Sequence, residues 1–314
     1  MAKMLINGIL RDKPTQTNGR FERHPSRFRN WIEAGETSEF PAEAGRYHLY
    51  LSKACPWCHG VDLVLTFKGL RDAISITWMD AISSENGWVI DQHAFDPAHG
   101  GPRDHYLYEV YQRAAPDYTG AISVPVLLDR ESGKIVSTES ADIMRMLSLA
   151  FPDGPDLFPE EHQAEVDRLA DLIQEPVRNG VYRAGFATSQ DAYCDAVTRL
   201  FDTLDVLEKV LGERRFLAGD QLTEVDLKLF PTLLRFDPVY VTHFKIDRAR
   251  ISDYPALSRY LAEIASLPGV ADTVDLPHIR AHYFRSHRHI NPSGIIPIGP
   301  MSLYALAAPV KGAA

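Results

Sequence analysis

Between Ala192 and Leu211 apolar side chains return every three or four positions. Val197, Leu200, Phe201, Leu204, Leu207 and Leu211 fall on one stripe, which predicts a long amphipathic helix. Ala164 to Val177 keeps the same period, and Leu257 to Leu267 predicts one more helix. Thr223-Glu-Val-Asp226 has the form of a capping box, in which a hydroxyl and a carboxylate satisfy amides orphaned at a helix start. Ahead of residue 150 the pattern is different. Arg46 to Ser52 is a β-rich run with partial alternation, and Ala73 to Trp78 is a second short strand through Ile74, Ile76 and Trp78. Ser123 to Asp129, a turn at Glu131-Ser-Gly133, and Lys134 to Ser137 read as a β-hairpin. Short helices are expected over Val61 to Phe67, stopped by Gly69, and over His105 to Ala114. A third opens at Glu139-Ser140 and carries Ile143, Met144 and Leu147.

The order β-α-β, insert, α-β-β-α is that of a thioredoxin-like sheet, and beyond Pro155 the pattern is helical throughout. The expected fold class is therefore α/β followed by all-α, with 41–155 as the first domain and 156–290 as the second. Residues 1–40 lack clear periodicity and read as an extended arm pinned by Phe28, Trp31 and Phe40, and 291–314 as a tail. The insert, 79–104, is rich in Gly, His, Asp and Pro.

Composition narrows the function. Thirty-three basic against forty-two acidic side chains give a net charge of −9, which disfavours nucleic acid and anionic membranes as partners. No run approaches the roughly 18 consecutive apolar residues of a membrane span. The start, Met1 to Gly8, has no apolar core leading to a cleavage site, so no signal peptide is expected. Three cysteines (Cys55, Cys58, Cys194) are too few for a disulfide framework, and the expected location is a reducing cytoplasm.

In that setting Cys55-Pro-Trp-Cys58 is the first chemical signal. A cysteine where a strand turns into a helix lies at the positive end of the helix dipole, beside unsatisfied amides, and both favour the nucleophilic thiolate. Pro56 suits the first helical position, where a missing N–H costs nothing. Cys58, one turn on, is either a resolving thiol or a small buried residue, and Cys194 is assigned no role. A Cys-x-x-Cys is also half a zinc site, but the chain holds no second pair. His278, His282, His287 and His289 lack a carboxylate or Cys at ligand spacing, so they are read as shaping a pocket or docking the C-terminal segment, and no metal is expected. Val124-Pro125 enters a strand where proline cannot donate, so an edge, a bulge or a cis turn is expected. Glu139-Ser140 at a helix start is either an anion site for a ligand carboxylate or an ordinary cap.

Taken together, these elements resemble the glutathione transferases, and specifically the xi class, the glutathionyl-hydroquinone reductases. The resemblance is carried by Phe28-Arg-Asn-Trp-Ile32, Arg46-Tyr-His-Leu-Tyr50, Ala54-Cys-Pro-Trp57, Glu85-Asn-Gly-Trp88 and Val124-Pro-Val-Leu127. It continues through Asn179-Gly-Val-Tyr-Arg-Ala-Gly-Phe186, Arg235-Phe-Asp-Pro-Val-Tyr240, His278-Ile-Arg-Ala-His-Tyr283, Asn291-Pro-Ser-Gly-Ile295 and Gly299-Pro300, nearly end to end. It implies Cys55 as nucleophile and glutathione as co-substrate, contacted by Trp88, Ile122, Ser123, Val124, Pro125, Glu139 and Ser140. It also implies Tyr182, Tyr240 and Tyr283 close to the sulfur, with Tyr182 as proton donor and the other two helping to stabilise the thiolate, and a homodimer. The chain departs from the family at Cys58-His59-Gly60, where Ala-His-Arg is usual, which leaves a dithiol variant open.

The implied reaction is reductive removal of glutathione from an aromatic ring, through a mixed disulfide between Cys55 and glutathione that a second glutathione resolves. A phenol with its ordinary pKa of about 10 is a weak acid, so the donor must be held close to the ring carbon. The alternative activity is that of a glutaredoxin-like thiol transferase or dehydroascorbate reductase, as in the related omega class. Conjugation fits a cysteine site poorly, because it needs a hydroxyl that activates glutathione's own thiol. A non-catalytic binding protein on this fold typically loses the reactive residue, and here Cys55 is present.

Overall fold

In the computed structural model, residues 3–13, 19, 26–35, 37–91 and 104–299 are described. They fall into two units: Gly19 and the described residues from Asp156 on make the second, and the others make the first.

The first unit is built on a four-stranded sheet of β3 (Tyr47–Leu51), β4 (Ser75–Trp78), β6 (Val126–Asp129) and β7 (Ile135–Ser137), in the order β4-β3-β6-β7. β3 runs parallel to β4 and antiparallel to β6, and β6 antiparallel to β7. All five residues of β3 are buried, since both faces are covered, so its partial alternation does not mark an inside and an outside. Arg46 clamps the fully buried Asp129 with two hydrogen bonds, at 3.0 and 2.9 Å. The helices are α1 (Pro56–Phe67), α2 (Leu107–Ala114) and α3 (Ser140–Ala150), and α1 packs against α3. Gly69 ends α1 with φ +66°, a left-handed conformation that a side chain would strain.

The N-terminal segment differs from the extended arm expected of it. β1 (Lys3–Ile6) and β2 (Ile9–Asp12) form a hairpin, and β1 also pairs with β5 (Gly120–Ala121). Asn7 and Gly8 turn the hairpin with φ of +47° and +72°, and at Gly8 a Cβ would sit 1.8 Å from the Pro116 carbonyl oxygen. Residues 28–30 then lie along β7, through Asn30 N–H to Val136 O and Thr138 N–H to Phe28 O, which covers a sheet edge. Buried Ile32 and Phe40 pin this segment, whereas Trp31 is exposed. Of the insert, 92–103 lie outside the described residues, as do 300–314 of the tail.

The second unit is helical, from α4 (Gln163–Ile173) and α5 (Gly180–Gly185) through α6 (Gln190–Glu213) and α7 (Glu224–Arg235). It ends with α8 (Val241–His243), α9 (Pro255–Ala265) and α10 (Leu276–Ser286). The helix expected to reach Val177 stops at Ile173, and a π-helical turn, Gln174–Arg178, comes next. Pro176 has no N–H for an ordinary helical bond, and the ladder widens so that Asn179 N–H reaches Gln174 O at 2.8 Å. A second π turn, Phe236–Tyr240, contains Pro238.

Candidate active site

Cys55 is the N-cap of α1, with extended backbone (φ −79°, ψ 121°) and Pro56 at the first helical position. Its carbonyl accepts from His59 N–H at 3.0 Å, closing the first turn, and its own N–H donates to Ser52 O at 3.1 Å. The side chain is 8% exposed, whereas Cys58, one turn on, is fully buried. Cys55 Sγ lies 3.8 Å from the Val124 carbonyl oxygen, and the Val124–Pro125 bond is cis, one of the three geometries expected of that proline.

Strand register brings the other implied glutathione contacts to the same edge. Cys55 lies just past the C-terminal end of β3, and because β6 is antiparallel with Tyr50 opposite Val126, Val124 and Pro125 enter at that end. Ser137, the last residue of β7, pairs with Leu127, so Glu139 and Ser140 leave β7 there too. Leu51 pairs with Trp78, and the chain after β4 turns back on itself through Asp80 N–H to Val89 O, which sets Trp88 beyond the same end. Two helix N-termini, those of α1 and α3, therefore open on one sheet edge, which favours a bound anion. Ser140 is fully buried, and its Oγ has no hydrogen-bond partner among the described residues. A buried hydroxyl left so costs about 1–3 kcal/mol, which a ligand carboxylate would recover.

Supporting contacts surround these residues. Tyr111 OH donates to the Ser123 carbonyl at 2.8 Å and accepts Ser123 N–H at 3.3 Å, steadying the run Ile122-Ser123-Val124; burial pushes its hydroxyl well above the ordinary phenol range. Ser137 Oγ accepts from Glu139 N–H at 3.1 Å. Arg29 grips Asp142, in the first turn of α3, with two bonds at 2.6 and 2.7 Å. Lys53, two residues before the thiol, reaches buried Asp62 at 3.0 Å and stands 4.1 Å above the Trp78 ring; Arg71 holds the other oxygen of Asp62 at 2.5 Å. Apart from the local Ser137–Glu139 bond, none of these supports is legible from spacing, since each joins residues far apart or on different elements.

In the second unit the three tyrosines meet. Tyr283 OH is 2.5 Å from Tyr182 OH and 3.3 Å from Tyr240 OH, so Tyr283 is the centre of the trio. Burial holds the Tyr283 hydroxyl far above the ordinary phenol range and keeps it protonated. Tyr182 comes just after one π turn and Tyr240 ends the other, so each proline-widened ladder sets the direction of one phenol. Phe186 and Phe244 pack against Tyr182, and the Phe244 ring stacks parallel to Tyr240 at 5.4 Å.

The histidines surround this cluster. His243 Nε2 is 3.1 Å from His287 Nδ1, and His287 also lies against His282, Tyr283 and Phe186. No group of three or more His, Cys, Asp or Glu among the described residues has the geometry of a metal site. Segment 291–299 is held by Arg280, which donates to the Pro238 and Pro297 carbonyls, and by the Asn291 amide, which donates to Phe284 O and Ile295 O.

Burial, with Lys245 and His289 nearby, pushes His243 down to about 4. The neutral ring is therefore what folding accommodates. Between pH of about 6.5 and about 4 the unfolded chain binds a proton that the folded chain refuses, so stability falls as pH falls through that window. The expected loss is on the order of 2 kcal/mol. Thermal midpoints measured across pH 4–8 should decline below about 6.5, and His243→Phe should make that decline shallower. An unchanged slope would assign it elsewhere.

Comparison with known proteins adds names to this geometry. Residues 54–149 match the family model for the glutathione S-transferase N-terminal domain, and 163–263 that for its C-terminal domain. The glutathionyl-hydroquinone reductase YqjG of Escherichia coli is 47% identical, over 94% of this chain and 94% of its own. The glutathionyl-hydroquinone reductase PcpF of Sphingobium chlorophenolicum is 45% identical, over 95% and 96%. Among solved structures, glutathione-bound YqjG superposes with a TM-score of 0.85 at 45% identity, covering 98% of each chain. A xi-class transferase from Natrialba magadii does so with 0.86 at 43% identity, covering 95% of this chain and 93% of its own.

Proposed function

The chain belongs to the glutathione transferases, and within them to the xi class, and from that premise we propose that it is an enzyme that reduces glutathionyl-hydroquinones to hydroquinones with glutathione. The observation that carries this reading is the Cys55 thiol at the start of α1, beside Val124 and on the same sheet edge as the partnerless Ser140 hydroxyl. Glutathione would lie along that edge, with Trp88, Ile122, Ser123, Val124 and Pro125 beside its backbone and Glu139 and Ser140 at its carboxylate end.

Cys55 thiolate attacks the sulfur that joins glutathione to the ring. The ring carbon–sulfur bond breaks, its electron pair goes to the carbon, and a proton from Tyr182 completes the hydroquinone. Tyr283 holds the Tyr182 hydroxyl and Tyr240 holds that of Tyr283, the two helping to stabilise the thiolate, and the proton released when the second glutathione ionises returns to Tyr182. A second glutathione thiolate attacks the mixed disulfide on Cys55, giving oxidised glutathione and the enzyme thiolate. Three cysteines in a chain of 314 residues suit a reducing cytoplasm. The resemblance supports a homodimer in which 41–155 binds glutathione and 156–290 binds the ring. Neither nucleic acid nor a membrane is proposed as a partner; the net charge is −9, and no described helix is long and apolar enough to cross a membrane.

Steady turnover tests the reading: a glutathionyl-hydroquinone and glutathione should give hydroquinone and oxidised glutathione one for one, and no hydroquinone from the wild type would end the proposal. Tyr182→Phe should lower kcat about a hundredfold with KM little changed, as loss of a positioned acid does. An unaltered kcat would remove Tyr182 from the role.

A further inference from the structure

We infer that Cys55 and Cys58 form a working dithiol, which gives this enzyme a second activity: reduction of glutathione mixed disulfides, with Cys58 rather than a second glutathione expelling the bound glutathionyl group. The inference rests on Cys55 being the nucleophile of the proposed reaction.

The two thiols share the first turn of α1, closed by the bond from His59 N–H to the Cys55 carbonyl. Residues three apart at a helix start have Cα atoms about 5 Å apart, inside the roughly 4.4–6.8 Å that a disulfide requires. A bond between them therefore needs no unwinding of the helix. Their accessibility is unequal in a useful order. Cys55 is 8% exposed and can meet an outside disulfide; Cys58 is 0% exposed on a helix buried along most of its length, and the outside sulfur it can reach is the one already attached to Cys55. Two successive displacements demand that arrangement of an outer and an inner thiol.

The chemistry closes without an added oxidant or reductant. Cys55 thiolate attacks the glutathionyl sulfur of a mixed disulfide with a second thiol; the S–S bond breaks and that thiol leaves, protonated by solvent. Cys58 gives up its proton and attacks Cys55 Sγ; the bond to glutathione breaks and glutathione leaves. Two electrons have passed from the dithiol to the substrate, leaving a Cys55–Cys58 disulfide. Two glutathiones then reduce it by the same exchange and emerge as oxidised glutathione.

A single-turnover experiment on the full chain decides this. Reduced, desalted enzyme is mixed with the mixed disulfide of glutathione and 2-mercaptoethanol, with no free glutathione, then acid-quenched for intact mass and thiol counting. Wild type should release one mercaptoethanol and one glutathione per chain and become lighter by two hydrogens. Cys58→Ala and Cys58→Ser should release mercaptoethanol alone and become heavier by one glutathionyl group. Two variants are used because the site is fully buried, and matching thermal midpoints confirm that each has folded. Wild type that keeps the glutathionyl group as the variants do would overturn the dithiol and leave Cys58 a packing residue. Thiol release by Cys55→Ala equal to that of wild type would instead overturn the nucleophile reading beneath it.

Discussion

Replacing Cys55 by serine lowers steady turnover of a glutathionyl-hydroquinone at least about a thousandfold, the scale on which removal of a catalytic nucleophile acts. The change is nearly isosteric, at an N-cap position that serine favours, so the helix start should be kept. What is lost is the sulfur. A hydroxyl does not ionise at neutral pH, while a thiol placed at a helix N-terminus is already favoured as thiolate. The S–S bond of the intermediate cannot form with oxygen in its place. Glutathione affinity should change only a few-fold, since the carboxylate end of the ligand is assigned to the start of α3. Intact mass after incubation with oxidised glutathione should show a glutathionyl group or an internal disulfide on wild type and neither on the variant. Full turnover by Cys55→Ser would mean that glutathione's own thiol does the chemistry.

How far the site was legible depended on whether its signals were local. The Cys55 turn and the Glu139-Ser140 helix start are short-range features, read directly and found at α1 and α3. The helix read from Ala192 to Leu211 is likewise α6, which extends two residues further at each end. The β1–β2 hairpin was not read: Asn-Gly is a hairpin dipeptide, but strands of four residues with mixed polarity leave little alternation around it. The π turns were not legible: the apolar period runs past Pro176 to Val177 without a break, and nothing in the spacing around Pro176 or Pro238 marks a ladder that widens and continues. Long-range pairs leave no periodic trace at all. Arg29 with Asp142 and Lys53 with Asp62 are ordinary charged residues until the fold brings them together. Tyr182, Tyr240 and Tyr283 are the extreme case, on three separate segments, and only the family resemblance singled them out ahead of the hydroxyl contacts that join them.

The largest loss of stability is expected at the capping box of α7, which was among the plainest signals in the chain. Asp226 is fully buried, yet its carboxylate accepts four hydrogen bonds: from Thr223 N–H at 2.9 Å, Thr223 Oγ1 at 3.0 Å, Leu217 N–H at 3.0 Å and Tyr260 OH at 3.0 Å. It thus ties the start of α7 to the loop before it and to α9. Burial raises its pKa above the ordinary carboxylate range even against those four donors, so it sits there at a cost that its bonds offset. Asp226→Ala removes the acceptor and leaves two amides and two hydroxyls to find partners in an apolar interior, each at about 1–3 kcal/mol when unsatisfied. Part of that is recovered by relaxation and water entry. A net loss of about 3–5 kcal/mol is expected, and a thermal midpoint lower by roughly 6–15 °C. Asp226→Asn keeps one acceptor oxygen and the side-chain volume while placing an NH₂ against donors, so it should fall between wild type and alanine. Chemical denaturation of the three proteins checks the order. An alanine variant as stable as wild type would show that the four bonds only balance the desolvation of the carboxylate, and that α7 holds its place by packing alone.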